Sequence, residues 1–438
     1  MIEKPPTNQK EESSENPNKI VNDVESIDKK MEMIDRLVNW EASLTSREKF
    51  KGMLLGDKQL RIKFGADITA QTLHIGHAVN LRVMRHLQDL GHKVVFLLGG
   101  FTTIVGDPTD KLMARSAPDS SDIEKNKKAF IDQIRGVVRF DDPNLIEIRD
   151  NIEWWGTPEK NGSINVGNFF EMIKSITVTS MLARDMFRKR METDTPIYLS
   201  EFLYPVLQGY DSVAMQSDLT VVGSDQMFNE KMAWSFQEKA GQEKQAILCT
   251  KITPGLDGGE KQSKSIGNYV GLAHSPKEKF NRVMILLDKL IPQWFEVYTE
   301  IDMEQIEKFK SEYENDPILF KKRLAFYITE LFHGTEEAKE AEKDFESKKM
   351  LKRIPSEIPE VALGESVSLD DLLRNNFRQK SNNIKDLTQT GALALVNKVN
   401  EDGTYEEETV KDIFHAKELK LASGQIVRWG KNKFYRIR

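Results

Sequence analysis

Two short motifs, far apart along the chain, carry the residues best suited to chemistry. His74-Ile75-Gly76-His77 places two imidazoles and a glycine where a helix is predicted to begin, and a helix N-terminus favours a phosphate. Lys261-Gln262-Ser263-Lys264-Ser265 places two mobile ammonium groups in a loop that follows three glycines. Together the motifs predict that the chain binds a nucleoside triphosphate while the α-phosphate of that ligand is attacked.

Each motif also has a plainer interpretation. The histidines could be two surface residues near a turn, and the lysines could belong to a solvated basic loop. Gly65, Asp67 and Thr69 lie just upstream of the histidines and favour the ligand-binding interpretation. The presence of both motifs in one chain favours it again.

Two further groups of residues could contact a sugar and an ammonium. Gly223-Ser224-Asp225-Gln226 follows a predicted strand, so its glycine could admit a ribose and its carboxylate could accept ribose hydroxyl protons. Asp107 lies just past the predicted strand at 94–98, where a carboxylate could meet an ammonium. An ordinary helix N-cap and a turn aspartate are the respective alternatives.

A polar stripe on an otherwise apolar helix suggests a pocket. Tyr204, Gln208 and Asp211 fall at i, i+4 and i+7 and therefore share one helix face. The stripe predicts a pocket that recognises a small polar ligand. The alternative is an exposed helix face.

The elements that must position these residues follow a parallel-sheet pattern. Predicted strands at 60–65 and 94–98 flank a helix at 77–90, and the ligand side of such a βαβ unit is the carboxyl end of its strands. A second half of the sheet follows, with strands at 219–222 and 246–250. Helices predicted between the two halves lie at about 121–140, 168–175 and 178–192.

Composition and charge narrow the class of protein. The 438 residues are 39% hydrophobic and 30% charged with a net charge of −6, which is typical of a globular protein without a global basic field. The single cysteine, Cys249, excludes a disulfide framework and a cysteine-based zinc site, and it suits a reducing compartment. No apolar run approaches the roughly 18 residues of a membrane span, so we expect a cytoplasmic protein with no membrane partner.

These residues resemble the class I aminoacyl-tRNA synthetases, and within them the tyrosyl-tRNA synthetase family. The Tyr-x3-Gln-x2-Asp stripe together with Gly-Ser-Asp-Gln is similar to the pattern for tyrosine rather than tryptophan. The matching stretches, in the family's order, are KFGADITAQTLHIGHAVN (63–80), LLGGFTTIVGDPT (97–109), EFLYPVLQGYDS (201–212), VVGSDQMFN (221–229), GLDGGEKQSKSIGNYVGL (255–272) and VRWGKNKFYRI (427–437).

The resemblance implies an α/β fold: a Rossmann-like parallel-sheet catalytic domain with a helical insertion, a helical domain, and a small C-terminal α/β RNA-binding domain. The expected boundaries are a disordered polar tail at 1–28, the catalytic domain at 29–272 with its insertion at 109–200, the helical tRNA anticodon-region domain at 273–354, a linker at 355–364 and the small domain at 365–438.

The resemblance also implies a reaction and its site residues. L-tyrosine would be activated by ATP to tyrosyl-adenylate and pyrophosphate, and the tyrosyl group would then pass to the 3′ end of tRNA(Tyr). The implied catalytic residues are Thr69, His74, His77, Lys261 and Lys264. The implied ATP-binding residues are Gly65, Asp67, Gly76, Gly223, Asp225, Ser263 and Lys264. The implied tyrosine-binding residues are Asp107, Tyr204, Gln208, Asp211 and Gln226, with Asp211 as acceptor of the phenol proton.

Two further partners follow from the resemblance. Mg²⁺ would arrive with the triphosphate, held mainly by phosphate oxygens and water rather than by a protein metal site. A second copy of the chain would form a homodimer through the 109–200 insertion. The candidates for its apolar centre are Trp154, Trp155, Phe169 and Phe170.

Three residues depart from the family pattern. Gln262 replaces the usual methionine of the lysine loop, which predicts altered loop packing rather than lost chemistry. Ile68 stands where proline is usual, which predicts a looser turn after Asp67. Lys63 stands where another branch of the family has a tyrosine near the substrate phenol.

The C-terminal segment resembles, less sharply, a small RNA-binding domain shared with a ribosomal protein. The last 24 residues carry seven cations against one carboxylate, with aromatic residues among them, as a surface that tracks a nucleic-acid backbone requires. A basic strand pair with core aromatics is the alternative. The predicted tRNA-binding residues are Arg428, Lys431, Lys433 and Arg436.

Three other functions remain open on the sequence. The same fold could take tryptophan, or the histidine motif could belong to a small nucleotidyltransferase, although the lysine loop and the basic C-terminal segment argue against the latter. A non-catalytic RNA-binding protein descended from a synthetase is the third, and the retained His74, His77, Lys261 and Lys264 argue against it.

Overall fold

The structure of the protein is a computed structural model. The residues that the structure describes are 20, 23–68, 72–107, 120–157, 160–174, 176–259, 261–264, 266–350, 358–362, 368–399, 405–430 and 433–438. They fall into two compact units, one within Met1–Lys339 and the other within Glu340–Arg438. Among these residues, no helix combines the length and the apolar character needed to cross a lipid bilayer.

A five-stranded parallel sheet organises the first unit. The strands described in this unit are β1 Arg61–Asp67, β2 Lys93–Gly99, β3 Ile146–Asp150, β4 Gly156–Thr157, β5 Lys160–Asn161, β6 Leu219–Val222 and β7 Ala246–Cys249. The sheet order is β3-β2-β1-β6-β7 with every pair parallel, while β4 and β5 form a separate antiparallel pair. Strands β6 and β7 are buried at every residue, as expected of a parallel sheet covered on both faces.

Helices surround this sheet. They are α1 Val24–Leu37, α2 Arg47–Leu54, α3 Ile75–Asp89, α4 Gly100–Val105, α5 Ser120–Ile134, α6 Ile152–Trp155, α7 Val166–Ile173, α8 Val178–Leu182, α9 Asp185–Glu192, α10 Leu199–Ala214, α11 Met227–Lys239, α12 Pro276–Val283, α13 Ile291–Tyr298, α14 Met303–Glu312, α15 Pro317–His333 and α16 Thr335–Met350, which runs into the second unit. Short 3-10 helices lie at Ser224–Gln226 and Asp288–Leu290.

The sheet topology determines where a ligand binds. Consecutive strands β1, β2 and β3 extend to one side, and β6 and β7 extend to the other. The switch point therefore lies between β1 and β6, and the crevice at their carboxyl ends is the expected binding position of an open parallel sheet. Asp67 ends β1, and Gly223 follows β6 directly.

The structure corrects two expectations about the 109–200 insertion. Strand β3 lies inside it and pairs with β2, so the insertion contributes an edge strand to the main sheet. The sequence does not predict strand β3, because Glu147, Arg149 and Asp150 interrupt its apolar residues. The side chains of this strand are at most partly buried. The helix expected at 178–192 is two short helices, α8 and α9, which a break at Ala183 and Arg184 separates.

The N-terminal boundary also differs from the expectation. The polar tail was expected through residue 28, but α1 begins at Val24, where the Asp23 side chain accepts a hydrogen bond from the backbone N–H of Ser26. Ile27 and Met31 are buried on this helix, so burial of its apolar face overrides the polar composition before it. Residues 1–19 and 21–22 of the expected tail lie outside the described residues.

A second sheet organises the second unit. Its described elements are β8 Glu360–Val361, α17 Leu369–Asn375, α18 Ser381–Gln389, β9 Leu393–Val399, β10 Tyr405–Thr409, α19 Ile413–Glu418, β11 Ile426–Trp429 and β12 Lys433–Ile437. The strand order is β10-β9-β11-β12-β8, antiparallel except for the parallel pair β12 and β8. Strand β8 falls inside the linker expected at 355–364, so part of that linker belongs to the sheet.

Candidate active site

Predicted site residues from distant parts of the chain line one cavity of about 560 Å³. The cavity lies where β1, β2, β6 and β7 end, which is the switch-point crevice of the sheet. The predicted residues that line it are Gly65, Asp67, His74, Gly76, His77, Asp107, Tyr204, Gln208, Asp211, Gly223, Asp225, Gln226, Lys261 and Lys264. Ser263 does not line the cavity, and Thr69 lies outside the described residues.

The two histidines lie at the N-terminus of α3. The backbone N–H of His74 donates to Nδ1 of His77 over 3.2 Å, and the two ring centroids are 3.9 Å apart. Burial, His77 and the nearby lysines lower the pKa of His74 to about 2, and burial and Lys264 lower the pKa of His77 to about 4. Both imidazoles are therefore neutral at pH 7. Within the described part of the chain, the buried Nδ1 of His74 has no hydrogen-bond partner, so it is placed to meet a ligand.

Gly76 is required by the histidine that precedes it. A Cβ atom at this position would lie 2.9 Å from both Cε1 and Nδ1 of His74. Contacts this short would force the imidazole out of its position. The glycine thus keeps His74 oriented and leaves the backbone of the first helical turn open to the cavity.

Hydrogen bonds through Asn268 stabilise the conformation of the lysine loop. The backbone N–H of Ser263 donates to Oδ1 of Asn268 over 2.7 Å, and Nδ2 of Asn268 donates to Oδ1 of Asp257 over 2.8 Å. Lys261 and Lys264 line the cavity from this loop, and burial lowers the pKa of Lys264 below its ordinary value. The backbone N–H of Ser263 thus helps to hold the turn between the two lysines.

The side chain of Gln262 connects the same loop to the end of α13. Its side chain is 5% exposed, and its Nε2 donates to the Tyr298 hydroxyl over 2.9 Å. Its Oε1 accepts from the backbone N–H of Val270 over 3.2 Å. The expectation of altered loop packing at this position thus has a structural counterpart in two polar contacts that a methionine cannot make.

Two carboxylates, those of Asp67 and Asp107, lie near Tyr204 of α10. Oδ2 of Asp67 accepts from the Tyr204 hydroxyl over 2.9 Å, and Oδ1 of Asp67 accepts from Oγ1 of Thr102 over 2.8 Å. Burial, Asp67 and Asp107 raise the pKa of Tyr204 well above its usual value, so Tyr204 remains a hydrogen-bond donor. Oδ2 of Asp107 accepts from Nε2 of Gln226 over 2.8 Å. Two carboxylates at one end of the cavity create a negative environment that suits an ammonium group.

Asp211 lies at a buried position that also lines the cavity. Its Oδ1 accepts from the indole N–H groups of Trp154 and Trp155 over 2.8 and 3.1 Å, and its Oδ2 accepts from Nδ2 of Asn151 over 3.4 Å. Burial raises the pKa of Asp211 to about 7, against the opposing effects of Lys63 and these donors. Oδ2 keeps acceptor capacity for one more donor, such as a hydroxyl.

This arrangement buries one of the residues expected at a dimer centre, Trp154, and gives a second, Trp155, a partner within the chain. Trp154 is 2% exposed, and both Trp154 and Trp155 direct their indole N–H groups at Asp211. Phe169 packs edge-on against Trp155 with ring centroids 6.1 Å apart, whereas Phe170 is 54% exposed. Of the four, Phe170 alone presents most of its side chain to solvent.

Gly223 and Asp225 form the end of the cavity beside β6. A Cβ atom on Gly223 would lie 2.5 Å from Oδ1 of Asp225, so glycine lets this carboxylate fold back over the strand end. Asp225 itself is exposed within the 3-10 helix Ser224–Gln226. At Gly65, in contrast, a Cβ atom would make only an ordinary contact of 3.6 Å with Leu97, so protein packing does not require this glycine.

Residues 56–349 match the model of one family, described as tRNA synthetases class I (W and Y). The chain belongs to this family. The expected resemblance and the expected fold class are thereby confirmed.

Relatives within the class I synthetases extend the likeness over most of the chain. A tyrosine–tRNA ligase of Burkholderia pseudomallei (strain K96243) is 38% identical over 387 residues, which cover 87% of this chain and 88% of that protein. A tyrosine–tRNA ligase of Thermotoga maritima is 35% identical over 401 residues, covering 91% of this chain and 93% of that protein. The crystal structure of a C-terminally truncated mitochondrial tyrosyl-tRNA synthetase from Aspergillus nidulans has a TM-score of 0.59 at 20% identity, covers 74% of this chain and 98% of that chain, and shares the fold.

Sequence reasoning missed several residues of this synthetase site. Thr102, Asn80 and Glu230 line the cavity but were not singled out. Glu230 lies at i+4 from Gln226 on one helical face, a spacing that could have revealed it. Thr102 and Asn80 carry no such signal, because small polar residues near a glycine or a helix start are common.

Ile68, which stands where the family usually has proline, makes specific contacts of its own. Its side chain is fully buried, and its backbone N–H donates to Oγ1 of Thr103 over 2.7 Å. Its carbonyl accepts from Nδ2 of Asn126 over 3.2 Å. Proline has no N–H, so Ile68 is anchored by a hydrogen bond that the usual family residue cannot form.

The predicted RNA-binding residues of the second unit divide into two groups. Arg428 is 8% exposed and forms a bidentate ion pair with Glu407, with nitrogen–oxygen distances of 2.5 and 3.1 Å, so its guanidinium stabilises the sheet and we remove it from the expected RNA contacts. Lys433 and Arg436 are exposed on β12, and Lys431 lies outside the described residues. Phe434 is buried in the core of this unit, so it does not serve as a stacking surface.

Proposed function

We propose that the chain is a tyrosine–tRNA ligase. The carboxylate of L-tyrosine attacks the α-phosphorus of ATP, which gives tyrosyl-adenylate and releases pyrophosphate. The 3′ hydroxyl of tRNA(Tyr) then takes the tyrosyl group and releases AMP. No side chain needs to act as a covalent nucleophile, because positioning and charge stabilisation can carry both steps.

One observation carries this proposal. The stripe Tyr204, Gln208 and Asp211 opens into the same cavity as the histidine and lysine motifs, so an amino-acid pocket adjoins a triphosphate site. Asp211 supplies a buried acceptor with donors on both of its oxygens, which suits the hydroxyl of a phenol and offers nothing to an unsubstituted phenyl ring. Asp107 and Gln226 would meet the ammonium and carboxyl groups of the substrate.

The phosphate end would use neutral and cationic groups together. His74 and His77 act as neutral hydrogen-bonding groups beside the positive end of the α3 dipole, since their pKa values are about 2 and 4. Lys261 and Lys264 supply the positive charge that a leaving pyrophosphate requires. Gly223 and Asp225 would hold the ribose, Gly65 and Asp67 would line the adenylate, and Thr69 would contact the phosphates.

Mg²⁺ would enter as part of the substrate. The described residues contain no group of three His, Cys, Asp or Glu side chains arranged to hold a metal ion. Phosphate oxygens and water are ordinary ligands for this ion, which gives up its water reluctantly. The ion would therefore arrive and leave with ATP and pyrophosphate.

A homodimer built on the insertion fits the distribution of apolar surface. Several large apolar side chains between residues 166 and 199 are exposed, and such exposure in one region often marks an interface. They are Val166, Phe170, Val178, Met191, Tyr198 and Leu199. We expect sedimentation of the purified protein to give the mass of two chains.

The reaction also implies a compartment and an RNA surface. ATP, tyrosine and tRNA meet in the cytoplasm, and the buried free thiol of Cys249 is compatible with reducing conditions. The proposed tRNA contacts of the second unit are Lys431, Lys433 and Arg436. The domain boundaries given above remain proposals, with the two changes at α1 and β8.

The deciding experiment is ATP–pyrophosphate exchange with tyrosine, phenylalanine and tryptophan, for the wild type and for Asp211→Ala. We expect exchange with tyrosine alone, and we expect Asp211→Ala to reduce both the rate and the preference for tyrosine over phenylalanine. Asp141→Ala, which removes an exposed carboxylate outside the cavity, is the matched control and should change neither. Exchange with tryptophan alone, or with none of the three, would refute the proposal.

A further inference from the structure

A buried ion pair forms part of the wall of the amino-acid pocket. Nζ of Lys63 lies 2.7 Å from Oε2 of Glu230, and the two side chains are 1% and 2% exposed. Both residues line the cavity that also contains Asp211 and Gln208. Lys63 comes from β1 and Glu230 from α11, so the pair connects two elements that flank α10.

Each partner of this pair also holds a group of the pocket. Oε1 of Glu230 accepts from Nε2 of Gln208 over 2.8 Å, and Oε2 accepts from Nε2 of Gln245 over 3.0 Å. Nζ of Lys63 donates to Oγ of Ser212 over 2.7 Å and approaches the carbonyl of Gln208 at 3.4 Å. The charges of both partners are therefore compensated by short contacts.

The amide of Gln208 is fixed by these contacts in one orientation. Its nitrogen donates to Glu230, and its oxygen accepts from Nδ2 of Asn229 over 2.9 Å. A rotation of the amide by 180° would bring oxygen against the Glu230 carboxylate and nitrogen against the Asn229 amide. Glu230 thus determines which atom of Gln208 faces its neighbours.

Lys63 also acts on Asp211. Among the groups that oppose the effect of burial on the pKa of Asp211, the Lys63 cation comes first, before the hydrogen bonds from Trp154, Trp155 and Asn151. Tyr204 lies on the same helix as Asp211, and the charge of Asp211 contributes to the raised pKa of Tyr204, after burial and the charges of Asp67 and Asp107.

We propose that the Lys63–Glu230 ion pair is a positioning device that determines selection of the phenolic substrate, because Glu230 orients Gln208 and Lys63 lies in the same pocket wall as Asp211. This inference rests on the proposed function. A buried ion pair is seldom more stabilising than apolar residues of the same shape, so its position in the pocket wall argues for a role in specificity.

The test compares Lys63→Met, Glu230→Gln and the double variant in tyrosine-dependent ATP–pyrophosphate exchange. For Glu230→Gln we expect the KM for tyrosine to rise about tenfold with the KM for ATP unchanged, the scale of one hydrogen bond to a charged group. For Lys63→Met we expect the acid limb of the kcat/KM profile for tyrosine to move to higher pH by about one pH unit, because loss of a nearby cation favours the protonated carboxyl.

The double variant and a matched control separate positioning from simple stability. Lys63→Met with Glu230→Gln leaves no unpaired buried charge, so it should fold while still showing the shifted acid limb and a lower preference for tyrosine over phenylalanine. Glu201→Gln breaks a comparably buried ion pair with Arg190, at 2.8 Å and outside the cavity, and should lower the melting temperature without moving the KM for tyrosine or the acid limb.

Two outcomes would overturn the inference and can be told apart from failure of the proposed function. If the wild type exchanges with tyrosine but all three variants keep the wild-type KM, acid limb and preference over phenylalanine, the ion pair is structural only. The same conclusion follows if the double variant restores every parameter to the wild-type value. Absence of exchange in the wild type would instead refute the proposed function.

Discussion

Nε2 of Gln262 donates a hydrogen bond to the hydroxyl of Tyr298 over 2.9 Å, and this contact ties the lysine loop to the end of α13. The Tyr298 hydroxyl also shares a hydrogen bond with Oγ1 of Thr253. Burial raises the pKa of Tyr298 well above its usual value, so the hydroxyl stays protonated. The loop that presents Lys261 and Lys264 is thus anchored at its second residue by polar contacts.

Replacement of this anchor should cost stability more than activity. For Gln262→Met we expect the free energy of unfolding to fall by about 1–2 kcal/mol, because the backbone N–H of Val270 loses its acceptor and the Tyr298 hydroxyl loses a donor. The maximal rate of tyrosine-dependent pyrophosphate exchange should stay within about threefold, which corresponds to about 0.6 kcal/mol in the activation free energy. Urea unfolding and exchange kinetics measure the two effects.

Tyr298→Phe provides the control for this prediction. It removes the same hydrogen bond from the other side, so the losses in Gln262→Met and in Tyr298→Phe should be less than additive in the double variant. Strictly additive losses would mean that the two residues do not interact in solution.

A methyl group at Gly76 should disable the site without unfolding the protein. The Cβ atom of Gly76→Ala would lie 2.9 Å from two ring atoms of His74, so the imidazole must move. Misplacement of a positioned group by about 1 Å can cost about 100-fold, and we expect a loss of that order in the pyrophosphate exchange rate.

Gly52 offers a matched control for the added methyl group. It lies in α2, and a Cβ atom there would meet nothing within 4 Å. Gly52→Ala should keep the full exchange rate and raise the melting temperature slightly, since alanine favours the helix. Equal activity in Gly76→Ala and in the wild type would contradict the role given to the His74 orientation.

Buried histidines should make the protein sensitive to mild acid. His92 is fully buried, its Nδ1 accepts from the backbone N–H of Leu60 over 3.2 Å, and burial lowers its pKa to about 4. Between about pH 6.5 and pH 4 the unfolded chain binds a proton at this residue and the native protein does not, so stability falls as the pH falls. The contribution of one such histidine is about 1.4 kcal/mol per pH unit.

His92→Asn tests this contribution, because the asparagine carbonyl can still accept from Leu60. Urea unfolding of the wild type and of His92→Asn should be compared at pH 7 and at pH 5.5. We expect the variant to lose about 1 kcal/mol less than the wild type over this interval. An identical loss in both proteins would show that His92 is protonated in the native state at pH 5.5.

The parts of the site that could be predicted follow local rules. Tyr204, Gln208 and Asp211 were expected on one face because the helix repeat alone places i, i+4 and i+7 together. The convergence of His74, Asp107 and Gly223 was expected because parallel strands end at one edge of a sheet. Family resemblance supplied the roles, which neither rule contains.

The parts that could not be predicted depend on partners far away in sequence. Arg428 was assigned to RNA by its charge, but Glu407 lies 21 residues earlier and neutralises it within the sheet. Trp154 was a candidate for the apolar centre of a dimer, whereas in the structure its indole N–H donates to Asp211, 57 residues later. Single-residue properties do not reveal such pairs, because the pairing arises only when the strands and helices pack.

The exposed cations of β12 should affect the tRNA step alone. Lys433 and Arg436 are exposed on a strand of the second unit, whereas the activation cavity is lined entirely by residues of the first unit. For Lys433→Glu with Arg436→Glu we expect unchanged tyrosine-dependent pyrophosphate exchange and at least a tenfold loss of kcat/KM for tRNA(Tyr) in aminoacylation, because phosphate contacts carry much of RNA affinity.

The salt dependence of aminoacylation and a buried control sharpen this prediction. Removal of phosphate contacts should flatten the dependence of the KM for tRNA on salt concentration, which a change in folding alone would not do. Arg428→Met, in contrast, leaves Glu407 buried without its partner and should lower the melting temperature of the second unit instead. An unchanged KM for tRNA in the Lys433 and Arg436 double variant would place the RNA surface elsewhere on the chain, because these exposed cations are the ones proposed to meet the phosphates.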